Sequence, residues 1–223
     1  MTLLVLSPHL DDAVLSAGQF VAAHPDAVVA TVFAGVPDAG ENGGYDRRTG
    51  FASAAEAMAR RRDEDAIALA LLRARPAHLD FLDRQYRRPS PDEAIADRLR
   101  ALIVAHRPAT VLGPIGLIHP DHRQVGRVWP AVAREFPAMT VLAYEDLPYR
   151  VQFPLRAADV VRAFAAAHGA VEMAPDGGPL GVKAQAMLAY ASQLATVQPL
   201  ACLAPERLWR LFARRDRDPS PTP

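Results

Sequence analysis

Short apolar runs alternate with longer amphipathic stretches along most of the chain. Five apolar runs have the length of buried strands and lie at residues 3–6, 28–33, 79–82, 110–112 and 140–144. Six stretches have apolar residues at helical spacing or strong helix formers, and lie at residues 13–23, 52–72, 91–106, 121–136, 157–168 and 180–194. Strands that alternate with helices need crossover connections, which make the strands parallel and cover both sheet faces. The pattern therefore predicts an α/β fold with a mostly parallel sheet and helices on both faces. A loop is predicted through Pro148 and Pro154.

The composition fits one globular domain without a strong electrostatic field. The chain has 223 residues, of which 50% are hydrophobic, and 25 basic residues balance 25 acidic ones. This length gives one sizeable core, and the charge balance argues against a nucleic-acid partner. We predict that residues 1–213 form a single domain and that the charged, proline-rich residues 214–223 are a disordered tail.

The sequence also carries expectations about the compartment. The single cysteine, Cys202, cannot form an internal disulfide, which is typical of proteins in a reducing compartment. The chain begins directly in an apolar run, so we expect no signal peptide. No apolar run approaches the roughly 20 residues that span a bilayer. We therefore expect a cytoplasmic protein without a membrane partner, and leave assembly into a homo-oligomer open.

Two clusters of histidine and aspartate carry the chemistry that the sequence suggests. One is His-Leu-Asp-Asp at residues 9–12, and the other is His-Pro-Asp-His at residues 119–122. Both follow the carboxyl ends of predicted strands, the edge where parallel α/β sheets bind ligands. His9 and Asp12 are three residues apart at a helix start and can face one point. With His122 they would form a three-ligand metal site whose fourth position is left to water.

Such a site predicts a metal-dependent hydrolase. Zinc is favoured by two imidazoles, while Fe²⁺ and Mn²⁺ are alternatives for the same ligands. Asp11 lies between the ligands and can act as a general base toward the bound water and return the proton to a leaving amine. His119 can then stabilise the developing oxyanion, with Asp121 setting its protonation and orientation.

Each cluster also has a structural interpretation. Asp11, Asp12 or Asp121 could cap the helix that follows it. The His-Pro-Asp string at residues 24–26 repeats half of the second cluster, but it closes a helix and precedes a strand, so we interpret it as a turn. The position of both clusters at the carboxyl ends of strands favours the catalytic interpretation.

The two clusters together resemble a known family. Ser-Pro-His-Leu-Asp-Asp at residues 7–12, with His-Pro-Asp-His further on, is similar to the PIG-L/LmbE-like N-acetylglucosaminyl deacetylases. Further matching strings follow in the order of the family: Arg-Asp-Glu-Asp at 62–65 after Arg61, Phe-Leu-Asp at 81–83, Tyr-Glu-Asp-Leu-Pro-Tyr at 144–149, Lys183, and Tyr-Ala-Ser-Gln at 190–193.

The resemblance implies a Rossmann-like fold and zinc-dependent hydrolysis of an N-acyl group on a glucosamine-type sugar, which makes the partner a small N-acetylated sugar. It implies the same assignments as the residues themselves: metal on His9, Asp12 and His122, a base at Asp11, and electrostatic help from His119. It adds substrate contacts at Arg61 and Asp83.

The chain departs from the family pattern in three places. The commonest first motif is His-Pro-Asp-Asp-Glu, whereas Leu10 stands here for the proline and Ala13 for the glutamate. The ligand and base positions are kept, but support from residue 13 is lost. Deacetylases of the family that act on thiol cofactors can carry a tyrosine two residues before the position of His119, and this chain has Leu117. The variant resembles a subgroup linked to glycoconjugate or antibiotic sugars.

Other interpretations stay open. Glu145 and Asp146 follow a strand and could either orient a metal-bound imidazole or cap the next helix. The reaction could be the cleavage of larger N-acyl groups or amide conjugates. A phosphoesterase with two metals would need a further cluster of ligands, and none is visible in the sequence. A non-catalytic sugar-binding relative is the alternative from a different class.

Overall fold

The computed structural model describes residues 2–174, 176–194 and 196–212. Its strands are β1 (Leu3–Ser7), β2 (Val28–Thr31), β3 (Arg75–His78), β4 (Thr110–Pro114), β5 (Thr140–Tyr144), β6 (Val171–Met173) and β7 (Leu208–Arg210). They form one seven-stranded sheet in the order β3-β2-β1-β4-β5-β7-β6. The strands β1 to β5 are parallel, and β7 runs antiparallel to both of its neighbours.

Helices cover both faces of this sheet, as the sequence pattern predicts. They are α1 (Asp12–Ala22), α2 (Gly44–Arg48), α3 (Ala54–Leu71), α4 (Asp92–His106), α5 (Pro120–Ala133), α6 (Leu147–Gln152), α7 (Pro154–His168), α8 (Leu180–Leu188) and α9 (Ala191–Leu194). Successive residues of β1 point to opposite faces. Leu4 and Leu6 therefore belong to one apolar cluster, and Leu3 and Val5 belong to the other. The prediction of a mostly parallel α/β fold is confirmed.

The structure corrects several element boundaries. The third strand occupies Arg75–His78 instead of the predicted residues 79–82. Proline is rare inside strands, but β3 is an edge strand, where the missing N–H of Pro76 is tolerated. The predicted loop through Pro148 contains α6, because proline is compatible with the first turn of a helix. The strands β6 and β7 were not predicted, and the expected tail lies outside the described residues.

A buried ion pair ties α1 to α8 and to the segment before β7. Helix α1 is kinked at Ala17, with φ −140° and ψ 21°. The Glu206 carboxylate accepts hydrogen bonds from the main-chain N–H groups of Gln19 and Phe20, at 2.8 and 3.1 Å. The only lysine of the chain, Lys183, is fully buried, and its Nζ donates to Glu206 at 2.9 Å.

We expect Glu206→Gln to lower the free energy of unfolding by about 3–5 kcal/mol, because it leaves the buried Lys183 charge without its partner. Urea denaturation would measure the change. The double variant Lys183→Met with Glu206→Gln removes that charge and should recover part of the loss. A loss under about 1 kcal/mol in the single variant, the size of a surface ion pair, would contradict the prediction.

Among the described residues, no helix has both the length and the apolar character that crossing a bilayer requires.

Candidate active site

The loops after β1 and β4 bring the two predicted clusters together, because these strands are neighbours at the centre of the sheet. In the first loop, Ser7 Oγ donates to the main-chain carbonyl of His9 and accepts from the N–H of Ala13 at 3.0 Å. In the second loop, Gly116 has a φ of 84°, and a Cβ there would lie 2.4 Å from the main-chain oxygen of His122. The close approach of this loop to α5 therefore requires glycine.

The three predicted metal ligands form a small triangle of donor atoms. His9 Nδ1 lies 3.2 Å from His122 Nε2 and 3.2 Å from Asp12 Oδ2, and His122 Nε2 lies 3.0 Å from the same oxygen. Tetrahedral zinc with bonds of about 2.0–2.1 Å separates neighbouring ligand atoms by about 3.3–3.4 Å. The side chains would need to move apart by only a few tenths of an ångström to hold one ion.

The charges around this triangle also suit a cation. Burial acts to lower the pKa of His122, but the negative charges of Asp12 and Asp146 outweigh it and raise the value to about 9. Burial opposes protonation of His9 in the same way, yet hydrogen bonds with Asp12 and Asp121 raise its pKa well above the usual value. A set of ligands that favours positive charge fits a divalent metal ion, whose binding displaces such protons.

The buried carboxylate of Asp146 orients the His122 ring. Asp146 Oδ1 lies 2.6 Å from His122 Nδ1, and its Oδ2 accepts from the main-chain N–H groups of Gly116 and Leu117, both at 3.0 Å. Its side chain makes no capping hydrogen bond to α6. Of the two roles left open by the sequence, the geometry therefore matches orientation of the imidazole. A contact of this kind fixes the tautomer whose Nε2 is free to bind a metal.

We expect Asp146→Asn to weaken metal binding about 10–100-fold, because the amide cannot hold His122 in this tautomer as firmly. Titration of the apoprotein with metal in a chelator buffer would measure the affinity. The adjacent Glu145 contacts Arg150 and Trp209 instead of an imidazole. Glu145→Gln should therefore keep the wild-type affinity. Equal affinities in the two variants would show that Asp146 does not support the metal site.

The contacts of Asp121 differ from the expected ones. Its carboxylate lies 4.0 Å from His119 Nδ1, while Oδ2 lies 3.1 Å from His9 Nε2 and accepts from the main-chain N–H of Arg84 at 3.1 Å. His119 is instead oriented by the main-chain N–H of Asp121, which donates to His119 Nδ1 at 3.3 Å. Asp121 thus lies behind His9 as Asp146 lies behind His122. Its carboxylate makes no hydrogen bond to His119 and acts on that ring only through its charge.

His119 is placed to donate a hydrogen bond into the site. Burial, together with the charges of His9 and His122, lowers its pKa to about 4. The neutral ring accepts a hydrogen bond at Nδ1 and therefore carries its hydrogen on Nε2. This leaves its Nε2–H without a bond to any described residue.

Asp11 is buried at the start of α1, but its side chain makes no capping hydrogen bond there. Burial and the neighbouring charge of Asp12 raise the pKa of Asp11 to about 7. A carboxyl group that titrates near neutrality can both accept and return a proton. The environment of Asp11 is therefore suited to a general base.

A cavity of about 1300 Å³ opens over the triangle. Its wall includes His9, Asp11, Asp12, Arg61, Asp83, His119 and His122, whereas Asp121 lies behind it. Pockets that bind drug-sized ligands typically have volumes of about 300–1,000 Å³. The cavity therefore has room for a ligand larger than one sugar ring.

The predicted sugar contact Arg61 is nearly inaccessible, with 4% of its surface exposed. Its Nη1 lies 2.7 Å from Asp46 Oδ1, and its Nη2 donates to Thr49 Oγ1 at 3.3 Å. Within the described part of the chain, its buried Nε has no hydrogen-bond partner. Buried N–H groups normally have an acceptor, so this one is an exception, and a ligand could reach it only if neighbouring side chains moved. The other predicted contact, Asp83, accepts from the N–H of Gln85 at 2.8 Å.

The Tyr-Ala-Ser-Gln string combines a structural and a cavity-facing part. Tyr190 donates to Asp65 at 2.8 Å, and Ser192 donates to Glu64 at 2.6 Å, so both are bound to α3. Gln193 lines the cavity, a position that was not predicted. The Arg-Arg-Asp-Glu-Asp string of α3 therefore holds one cavity wall in position.

Comparison with known proteins agrees with this geometry. A family model described as PIG-L, GlcNAc-PI de-N-acetylase, matches residues 4–133, which is more than half of the chain. The chain belongs to the PIG-L family. No match to this PIG-L chain is found among curated protein sequences.

Several solved structures similar to this PIG-L protein are deacetylases. A triple mutant of the deacetylase Orf2 of the teicoplanin biosynthetic pathway is 29% identical, with a TM-score of 0.78 over 95% of this chain and 98% of that chain. The zinc-inhibited form of teicoplanin deacetylase Orf2 is 26% identical, with the same TM-score and coverage. The A40926 pseudoaglycone deacetylase Dbv21 is 27% identical, with a TM-score of 0.72 over 95% of this chain and 97% of that one. The expected family and fold are confirmed, and the PIG-L protein is a hydrolytic deacetylase.

Proposed function

We propose that this PIG-L protein is a zinc-dependent enzyme that hydrolyses the N-acetyl group of an N-acetylglucosamine-type sugar or glycoconjugate. The products are acetate and a free amine. The observation that carries the proposal is the triangle of His9, Asp12 and His122, whose atoms lie 3.0–3.2 Å apart at the floor of a large cavity.

A divalent ion held by these three side chains would supply Lewis acidity, lowering the pKa of a water molecule and polarising the amide carbonyl. Asp11 accepts a proton from the attacking water and passes it to the nitrogen of the leaving amine. His119 Nε2–H donates to the carbonyl oxygen as negative charge develops on it. Water thus adds to the carbonyl carbon, the C–N bond breaks, and both products are accounted for.

The sugar ring would lie beside Arg61 and Asp83 in the cavity wall. Arg61 contributes positive charge to this wall, and the Asp83 carboxylate offers an acceptor to a sugar hydroxyl. The cavity volume of about 1300 Å³ favours a sugar carried on a larger group over a free monosaccharide. Deacetylases named for teicoplanin and for the A40926 pseudoaglycone support a conjugated substrate. We expect this small-molecule chemistry to occur in the cytoplasm.

The test is acetate release by protein stripped with a chelator and reloaded with one equivalent of Zn²⁺, Mn²⁺ or Fe²⁺. N-acetylglucosaminides with aglycones of increasing size are the substrates, and acetate and free amine are quantified together. We expect equal amounts of both products, only from the reloaded protein. Because one neighbour is described as zinc-inhibited, zinc is also titrated beyond one equivalent.

The same assay separates the alternatives. Faster release of longer N-acyl chains than of acetate would point to a deacylase. Saturable sugar binding without release under any metal would point to a binding protein and would overturn the proposed function. The identity of the metal that gives the highest turnover decides between zinc, iron and manganese.

A further inference from the structure

Tyr149 lies on α6 with its ring in the cavity wall. The ring meets His122 edge to face, with centroids 5.1 Å apart, and is nearly parallel to His119, with centroids 6.5 Å apart and an angle of 17° between the planes. Tyr149 therefore adjoins both a proposed metal ligand and the proposed oxyanion donor.

The hydroxyl of Tyr149 differs from the other tyrosine hydroxyls of the chain. Four of the five tyrosines have hydroxyls bonded within the protein: Tyr45 to Thr196, Tyr86 to Asp46, Tyr144 to the Leu6 carbonyl, and Tyr190 to Asp65. The Tyr149 hydroxyl has no such bond to any described residue. Tyr149 is half-buried in the cavity wall, so its unbonded hydroxyl is accessible to a ligand in the cavity.

The start of α6 holds Tyr149 in a fixed position. Asp146, one turn earlier, is bonded to His122 and to two main-chain N–H groups. The N–H of Leu147 donates to Ser16 Oγ at 3.1 Å, which ties α6 to α1. The contacts that orient His122 therefore also orient Tyr149, and a donor fixed in advance is what transition-state stabilisation requires.

We propose that Tyr149 is a second oxyanion donor, whose hydroxyl donates a hydrogen bond to the carbonyl oxygen of the substrate amide alongside His119. The inference rests on the proposed function. A phenol has a usual pKa of about 10 and keeps its proton at neutral pH. Leu117 is buried and has no hydroxyl, so in this chain the donor comes from α6 instead of from the loop before His119.

Tyr149→Phe tests the role, because it removes only the hydroxyl. Loss of one oxyanion donor typically costs about 10²–10³ in kcat. We expect kcat and kcat/KM to fall together by about 100-fold, with KM and bound metal unchanged. The matched control is Tyr144→Phe, which removes a hydroxyl bonded to the main-chain carbonyl of Leu6 outside the cavity wall and should leave kcat unchanged.

A second measurement does not depend on turnover. A methylphosphonamide analogue of the N-acetyl sugar has tetrahedral oxygens where the transition state has its oxyanion, and we expect Tyr149→Phe to bind it at least about 10-fold more weakly than wild type. Unchanged analogue binding, a raised KM with unchanged kcat, or a loss of metal would each overturn the role of Tyr149. If wild type releases no acetate, the proposed function fails, while analogue binding still decides whether Tyr149 contacts a tetrahedral oxygen.

Discussion

Asp11→Asn should lower kcat about 10²–10⁴-fold while the protein keeps its full complement of metal. The asparagine has nearly the same size, so the buried position at the start of α1 stays filled. Its amide cannot accept a proton from water or return one to the leaving amine. Asp11 is not a corner of the triangle formed by His9, Asp12 and His122, so the metal should remain.

Turnover and metal content measured on the same preparation check this prediction. Asp80→Asn is the matched control, since Asp80 is an exposed carboxylate with 88% of its side chain accessible, and it should keep the wild-type kcat. We expect Asp11→Asn not to recover when metal is added in excess. Recovery with metal would mean that Asp11 is a ligand, and a wild-type kcat would remove Asp11 from the mechanism.

The fold was largely predictable because short buried strands alternate with long helices along most of the chain. The parallel strands β1, β2, β4 and β5 are buried apolar runs, which the sequence shows directly. The strands β6 and β7 have three residues each, and β7 joins the sheet only through antiparallel pairing with distant strands. Short segments stabilised by long-range pairing carry little local pattern, so they were missed.

The positions of the site residues were predictable where those residues lie at the carboxyl ends of strands. Adjacency of β1 and β4 explains why His9 and His122 meet, although 113 positions separate them. The partner of Asp121 was not predictable in this way. Asp121 is next but one to His119, yet its carboxylate reaches across to His9. The spacing within one motif predicts which side chains share a face of the following helix. Whether the Asp121 carboxylate contacts His119 or His9 depends on how the two loops pack.

The same limit applies to α6, which contributes two side chains to the site. Asp146 and Tyr149 belong to a string that the sequence marked, but their roles depend on the direction in which α6 leaves β5. In the structure Asp146 faces His122, and Tyr149 faces the cavity. The sequence pattern identified Asp146 and Tyr149 as residues of interest, but their contacts depend on the tertiary structure.

Asp12→Asn should remove the metal, whereas Asp11→Asn should keep it. Asp12 Oδ2 lies 3.0 and 3.2 Å from the two ligand nitrogens, so its charge sits at a corner of the triangle. Replacing even an outer partner of a ligand costs about 10–100-fold in metal affinity. For Asp12, which is a proposed ligand itself, we expect the metal affinity to fall by at least about 100-fold. Turnover should vanish at one equivalent of metal and partly return when metal is added in excess.

Metal titration of Asp11→Asn, Asp12→Asn and His119→Ala distinguishes the proposed ligand set from its alternative. The ring nitrogens of His9, His119 and His122 also lie within 4.8 Å of one another and could form a three-histidine site. If the triangle is the site, only Asp12→Asn loses the metal. If His119→Ala loses it and Asp12→Asn keeps one equivalent, the metal belongs to the three histidines, and His119 cannot at the same time donate to the oxyanion.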